Sequence, residues 1–190
     1  MKNYKYTQTW FLGSEIKNAL AMYLDKTKDL RMLEIGCFEG LSSVFFADNF
    51  IDSPNSSLTC VDPFLTSPDN DHEQFLLNNE EMNFDFNISA CKNTNKITIH
   101  KITSDIFFLN NSLTYNFIYI DGCHTPDFIM RDMENSFKFL EPDGVMWMDD
   151  YGGGDGIQIK NTMNDFLGKY KGQYELIHSG YQLAIKKRLI

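Results

Sequence analysis

The sequence predicts an α/β domain built on a doubly wound, mostly parallel sheet, with an antiparallel hairpin at its C-terminal edge. Three observations carry this. Short apolar runs rich in β-branched and aromatic residues recur at 31–35, 58–61, 96–102, 117–120 and 144–148, with helical patterns alternating between them. Two of these runs stop abruptly in chemistry-bearing residues, Asp121-Gly122-Cys123-His124 and Asp149-Asp150-Tyr151, which a core rejects and the carboxyl edge of an open sheet uses. The chain then closes on two alternating runs, 174–178 and 182–186, on either side of Gly180.

At 190 residues the chain reads as one domain over 1–190, with an N-terminal arm and helix over 1–29 and an insertion at 64–95 that reads either as a lid over the ligand edge or as a surface excursion with its own small cluster. Hydrophobic residues make up 43% and charged residues 23%, which is ordinary globular usage. The net charge of −9 argues against a generic grip on nucleic-acid phosphates, which needs a basic face. Cys37, Cys60, Cys91 and Cys123 show no C-x-x-C pairing, so free thiols in a reducing cytosol are expected. No run approaches the roughly 18 apolar residues of a membrane helix, and the start lacks a signal peptide's apolar stretch. The expectation is a soluble, cytoplasmic protein without a membrane partner, its oligomeric state open.

Taken in order, residues 1–12 carry aromatics without periodicity, suited either to packing on the core or to covering a ligand. Ser14 reads as an N-cap, with Ile16, Leu20, Tyr23 and Leu24 at helical spacing towards Lys26. The first strand, 31–35, runs into a glycine turn and a helix beginning near Leu41; the second, 58–61, is stopped by Asp62-Pro63. Residues 64–95 are irregular, with room for a loop and one or two short helices. The third strand leads into Thr103-Ser104-Asp105. After the fourth, Thr125-Pro126-Asp127 starts a helix whose apolar face is Ile129, Met133, Phe137 and Leu140. A last helix carries Ile159, Met163, Phe166 and Leu167 ahead of the hairpin.

The first motif is Glu34-Ile35-Gly36-Cys37-Phe38-Glu39-Gly40-Leu41-Ser42. Strand, glycine turn and helix together bring backbone N–H groups and a helix N-terminus against a ligand. Asp62 ends the second strand, where a carboxylate can accept from a ribose diol or simply shape the turn before Pro63. In that order the two point to a nucleoside-bearing ligand. Asp121, Asp149 and Asp150 form a second constellation, in which three neighbouring carboxylates repel and a divalent ion relieves the repulsion. His124 can act as a general base or cap the following helix. His72, His100 and His178 join no constellation.

These motifs resemble those of the class I S-adenosylmethionine-dependent methyltransferases over roughly residues 30–170. The first motif fits the E-[IL]-G-x-[FY]-x-G-x-S variant of the catechol-type and macrolide-sugar-type O-methyltransferases, with Phe38 where the commoner G-x-G-x-G has its middle glycine. The resemblance implies a Rossmann-like methyltransferase fold and an S-adenosylmethionine cofactor. Gly36, Gly40 and Ser42 would face its methionine end, and Glu34 its amino group. Asp62 would hold the ribose, Ser104 and Asp105 would lie by the adenine, and Asp121 would also contact the cofactor. It also makes Asp121, Asp149 and Asp150 ligands for Mg²⁺ or a similar cation. Asp150 stands where the catechol type has asparagine. His124, at a lysine of the catechol type and a histidine of the sugar type, becomes the general base beside Asp121. The implied acceptor is a hydroxyl of a small molecule or glycan. Methylation of protein or nucleic acid is the alternative, although the Asn/Asp-Pro-Pro-aromatic stretch of amino-directed nucleic-acid enzymes is replaced here by Asp121-Gly122-Cys123-His124. A non-catalytic S-adenosylmethionine-binding module is the third reading.

Overall fold

In the computed structural model, residues 3–65, 79–153 and 157–189 are described. Seven strands form one sheet: β1 (Arg31–Ile35), β2 (Ser57–Val61), β3 (Ile97–His100), β4 (Tyr115–Ile120), β5 (Leu140–Met148), β6 (Tyr174–Ser179) and β7 (Leu183–Lys187). Their order is β3-β2-β1-β4-β5-β7-β6. The first five strands run parallel, while β7 is antiparallel to both β5 and β6. The strand order reverses between β1 and β4, so their carboxyl ends flank the crevice where open α/β sheets bind ligands.

Helices cover both faces, which is why β1, β4 and the 144–148 part of β5 read as near-continuous apolar runs. Leu140, expected on the apolar face of the preceding helix, instead opens β5, because that helix stops at Phe139. On one face α1 (Ile16–Ala19), α2 (Leu41–Phe50) and α3 (Glu80–Ala90) pack over Met32, Phe117, Tyr119 and Trp147. On the other, α4 (Ser104–Asn110), α5 (Pro126–Phe139) and α6 (Ile157–Lys169) pack over Leu33, Ile118, Ile120 and Met146. Alternate residues of each strand thus feed opposite layers, as the period-two geometry of a strand requires. No helix among the described residues is long and apolar enough to cross a membrane, and the four cysteines form no disulfide.

Several local expectations are corrected. The helix expected from Ser14 to Lys26 is one α-turn, Ile16–Ala19, followed by a 3-10 turn at Leu20–Met22. Ser14 does not cap it: its hydroxyl bonds back to Phe11 O at 2.7 Å, and the Ile16 amide is taken by Gln182 Oε1 at 2.9 Å. Long-range partners thus displace the local cap. Thr125 occupies the N-cap of α5 without a capping side-chain bond, its hydroxyl lying 3.4 Å from Cys123 Sγ instead. The third strand is shorter than 96–102, and the segment after it is helical, with Thr103 accepting from the Ile106 amide. The apolar run 106–109 hides that helix, since only Phe107 and Phe108 face the core. Within the 64–95 insertion the structure supplies α3 and a 3-10 turn at Thr94–Lys96; residues 66–78 lie outside the described chain.

Candidate active site

The turn after β1 is shaped by one carboxylate. Asp62 Oδ2 accepts from the amides of Cys37 at 2.7 Å and Phe38 at 3.0 Å, and Oδ1 accepts from Phe64 N at 2.7 Å. The first two of these bonds hold the turn with Phe38 at φ 48°, a left-handed backbone that a bulky residue adopts only under constraint, while the third fixes the carboxylate from the β2 side. Gly36, at φ +82°, lies directly against the end of β4: a Cβ there would stand 1.9 Å from the Asp121 carbonyl oxygen. Gly40, at φ +79°, forms the N-cap of α2 without a side-chain bond.

Glu34 and Ser42 are brought together, but beneath this turn. The Glu34 carboxylate is fully buried and accepts from the hydroxyls of Ser42 and, at 2.5 Å, Ser43. Burial pushes Glu34 up from 4.5 to about 7. The unfolded chain ionises near the ordinary value and the folded one only near the raised value, so Glu34 makes stability fall as pH climbs from 4.5 to 7 and level off above. Glu34→Gln is therefore expected to flatten that fall and to be more stable than the parent above pH 7, by roughly 1–3 kcal/mol. Parallel denaturant melts between the two pH limits read the difference.

Sequence reasoning gave no separate role to the N-terminal arm's anchor. Glu39, buried in the turn, accepts from Thr7 N at 2.6 Å, Thr7 Oγ1 at 3.1 Å and Asn83 Nδ2 at 2.7 Å. Asn87 Nδ2 donates to Lys5 O at 2.7 Å and Glu39 O at 2.8 Å, while Asn87 Oδ1 accepts from Lys5 N at 2.7 Å. Arm, turn and α3 are thereby stitched into one unit, with Trp10 against Phe38 at 5.6 Å between ring centroids. A buried acid inside a glycine motif is the signal that could have found this.

The ends of β4 and β5 bring the acids together. Asp121, His124 and Asp150 offer one ligand atom each, all within 4.8 Å of one another. His124 Nε2 is 3.0 Å from Asp150 Oδ2. Asp149, the third ligand expected from the sequence, is not in that group but lines the same pocket, and its carboxylate is held by contacts of its own: Tyr119 donates to its Oδ2 at 3.0 Å, and Gln182 Nε2 and the Asp150 amide reach its Oδ1 at 2.9 and 3.0 Å. The Tyr119 hydroxyl is also 3.3 Å from Asp121 Oδ2, so it sits between the two carboxylates. Burial, then Asp149 and Asp150, push the Asp121 carboxyl well above its ordinary value. Burial and Asp150 raise Asp149 as well. Burial acts the same way on Asp150, but bonds from His124 and Tyr181 outweigh it and hold that carboxyl low. Asp121, Asp149 and Asp150 line one pocket, and carboxylate oxygens gathered in this way suit a hard divalent cation, which would relieve the repulsion between them.

Ser104 and Asp105 separate. Ser104 lies beside the buried Asp132, whose carboxyl burial raises to about 6. Asp105 faces solvent, paired with Arg131 at 3.1 and 3.2 Å. Asp132, which the sequence did not single out, opens with His124, Ile129, Met133, Ile159 and Met163 onto a pocket between α5 and α6.

Residues 33–151 match a family described as a methyltransferase domain, a span of more than half the chain. The chain belongs to the methyltransferase-domain family. No curated protein matches it. Solved structures give this methyltransferase fold close parallels at low identity. A Clostridium thermocellum protein provisionally named an rRNA methylase superposes with a TM-score of 0.71 at 14% identity, over 97% of this chain and 99% of that one. An O-methyltransferase from Bacillus cereus, solved with S-adenosylhomocysteine, gives 0.65 at 12% identity over 95% and 82%. The O-methyltransferase TomG from Streptomyces achromogenes, involved in tomaymycin synthesis and solved with S-adenosylmethionine, gives 0.64 at 14% over 91% and 78%. The methyltransferase assignment and the sheet order agree with the sequence-based fold class.

Proposed function

We propose that this methyltransferase moves a methyl group from S-adenosylmethionine to a hydroxyl of a small molecule or glycan, with help from a divalent cation. The observation that carries the reading is the contact between the glycine turn and the acid cluster. Gly36 abuts the backbone of Asp121, so a donor cradled by the turn and an acceptor held at the carboxylates would be neighbours, as proximity catalysis needs. The relatives solved with S-adenosylmethionine or its demethylated product support the donor. The net charge of −9 disfavours a polyphosphate acceptor.

Asp121, Asp149 and Asp150 would hold the cation, which when bound supplies Lewis acidity that lowers the pKa of an acceptor hydroxyl. S-adenosylmethionine supplies an electrophilic methyl carbon on a sulfonium sulfur. His124 is half-exposed and tethered through Nε2 to Asp150. It takes the acceptor's proton, and the carboxylate stabilises the imidazolium that results. The acceptor oxygen bonds the methyl carbon as the carbon–sulfur bond breaks, leaving a methyl ether and a neutral thioether.

Methyl-labelled donor offered to a panel of sugars, vicinal diols and RNA tests this. Label is expected in a hydroxylated small molecule, with the rate falling roughly tenfold or more in EDTA and returning with Mg²⁺. Full activity in EDTA removes the cation from the mechanism; label in RNA alone overturns the acceptor class.

A further inference from the structure

We infer that Tyr119 and Gln182 are positioning residues that aim the Asp149 carboxylate at the cation, an inference resting on the cation-assisted reading above. Gln182, in the turn between β6 and β7, is fully buried. Its Oε1 accepts from Ile16 N at 2.9 Å and from Trp147 Nε1 at 3.0 Å. Two donors on one oxygen fix which way the amide faces, so Nε2 must point at Asp149 Oδ1, 2.9 Å away. The backbone of Gln182 is fixed too: its amide donates to Glu15 Oε2 at 2.9 Å, and the same oxygen lies 2.7 Å from His178 Nε2. His178 in turn stacks on Trp147, with ring centroids 5.0 Å apart.

Tyr119 is equally constrained. Its ring is fully buried against Phe11 and Phe46. A phenylalanine would fill that space as well, and burying a hydroxyl is costly unless it is bonded. The hydroxyl has one proton, and the shorter of its two carboxylate contacts, 3.0 Å against 3.3 Å, goes to Asp149. With the Asp150 amide on Oδ1, three donors from three segments fix both oxygens of Asp149, while Asp121 and Asp150 have fewer such restraints. Such outer partners orient a ligand and typically change cation affinity 10- to 100-fold when removed, roughly.

The test is titration of the whole chain with Mn²⁺, read by electron paramagnetic resonance of the free ion and by calorimetry, comparing the parent with Tyr119→Phe. The variant keeps the ring and its packing. Its Mn²⁺ dissociation constant is expected to rise roughly 10- to 100-fold, with S-adenosylmethionine affinity unchanged and the melting temperature near the parent's. Gln182→Met, similar in length but with neither the donor facing Asp149 nor an added charge, is expected to shift Mn²⁺ binding in the same direction, with its melting temperature read alongside because Ile16 N and Trp147 Nε1 lose their acceptor. Parent-like Mn²⁺ affinity in Tyr119→Phe overturns the inference and leaves the cation reading standing. A parent that binds no Mn²⁺ overturns the cation reading and this inference with it.

Discussion

Asp121→Asn is expected to abolish most methyl transfer while making the cation-free protein harder to unfold. Opposite signs are the point of the experiment. Burial and the neighbouring Asp149 and Asp150 carboxylates hold the Asp121 carboxyl well above its ordinary value, so ionising Asp121 costs the cation-free fold stability. Asparagine has nearly the same shape and no charge. The stability gain is absent below the ordinary carboxylate pKa, where both states are protonated. It then grows as pH rises from the ordinary value towards the raised one and levels off beyond it. Chemistry moves the other way, since a cation-assisted step relies on several kcal/mol of charge stabilisation. At about 1.4 kcal/mol per factor of ten, kcat/KM is expected to drop roughly 100- to 1,000-fold. Thermal melts in EDTA across pH, set beside initial rates with Mg²⁺, read both quantities. Parent-like rates in the variant would remove Asp121 from the mechanism.

The same residues show which parts of the site the sequence could disclose. Asp121, His124, Asp149 and Asp150 were legible because each follows directly on an apolar strand, and parallel neighbouring strands end at the same edge. Gly36 and Gly40 were legible because a left-handed turn favours glycine. Direction was not legible. Glu34 and Ser42 share a motif with the turn, yet alternation along β1 sends Glu34 into the helical layer, where it meets Ser42 and Ser43. Asp105 reads as a plausible adenine neighbour, but an arginine 26 positions later captures it. Gln182 and Tyr181 gave no signal, because their roles come from partners far away in the chain. The short first helix failed for the same reason: local capping chemistry at Ser14 lost to the Gln182 amide, 166 positions away from Ile16. Periodicity reports which face is buried; it carries no information about which distant side chain arrives there.

Gly36→Ala carries the largest expected penalty on stability. The added methyl would stand 1.9 Å from the Asp121 carbonyl oxygen, 2.4 Å from its carbon and 2.8 Å from the Gly122 Cα. All three are backbone atoms, so no rotamer change can relieve the overlap. The two segments cannot drift apart cheaply either, because Gly36 N donates to Val61 O at 3.0 Å and Asp121 N to Ile35 O at 2.8 Å. Relief therefore means parting β1 from β4 at the edge where both deliver their site residues. To this is added the cost of a left-handed alanine, about 1–2 kcal/mol. A total loss of roughly 4 kcal/mol or more is expected, at the severe end for a point substitution. It should appear as insoluble protein, or as a folded remnant that no longer binds S-adenosylmethionine in calorimetry. Gly168, inside α6 with nothing within 4 Å of a built Cβ, is the matched control. There alanine has space and a helical backbone to join, and stability is expected to rise by up to about 1 kcal/mol. If both alanine variants melt alike and bind the cofactor alike, the close approach of turn and acid cluster does not exist in solution. The proposed meeting of methyl donor and acceptor at that edge would then have no structural basis.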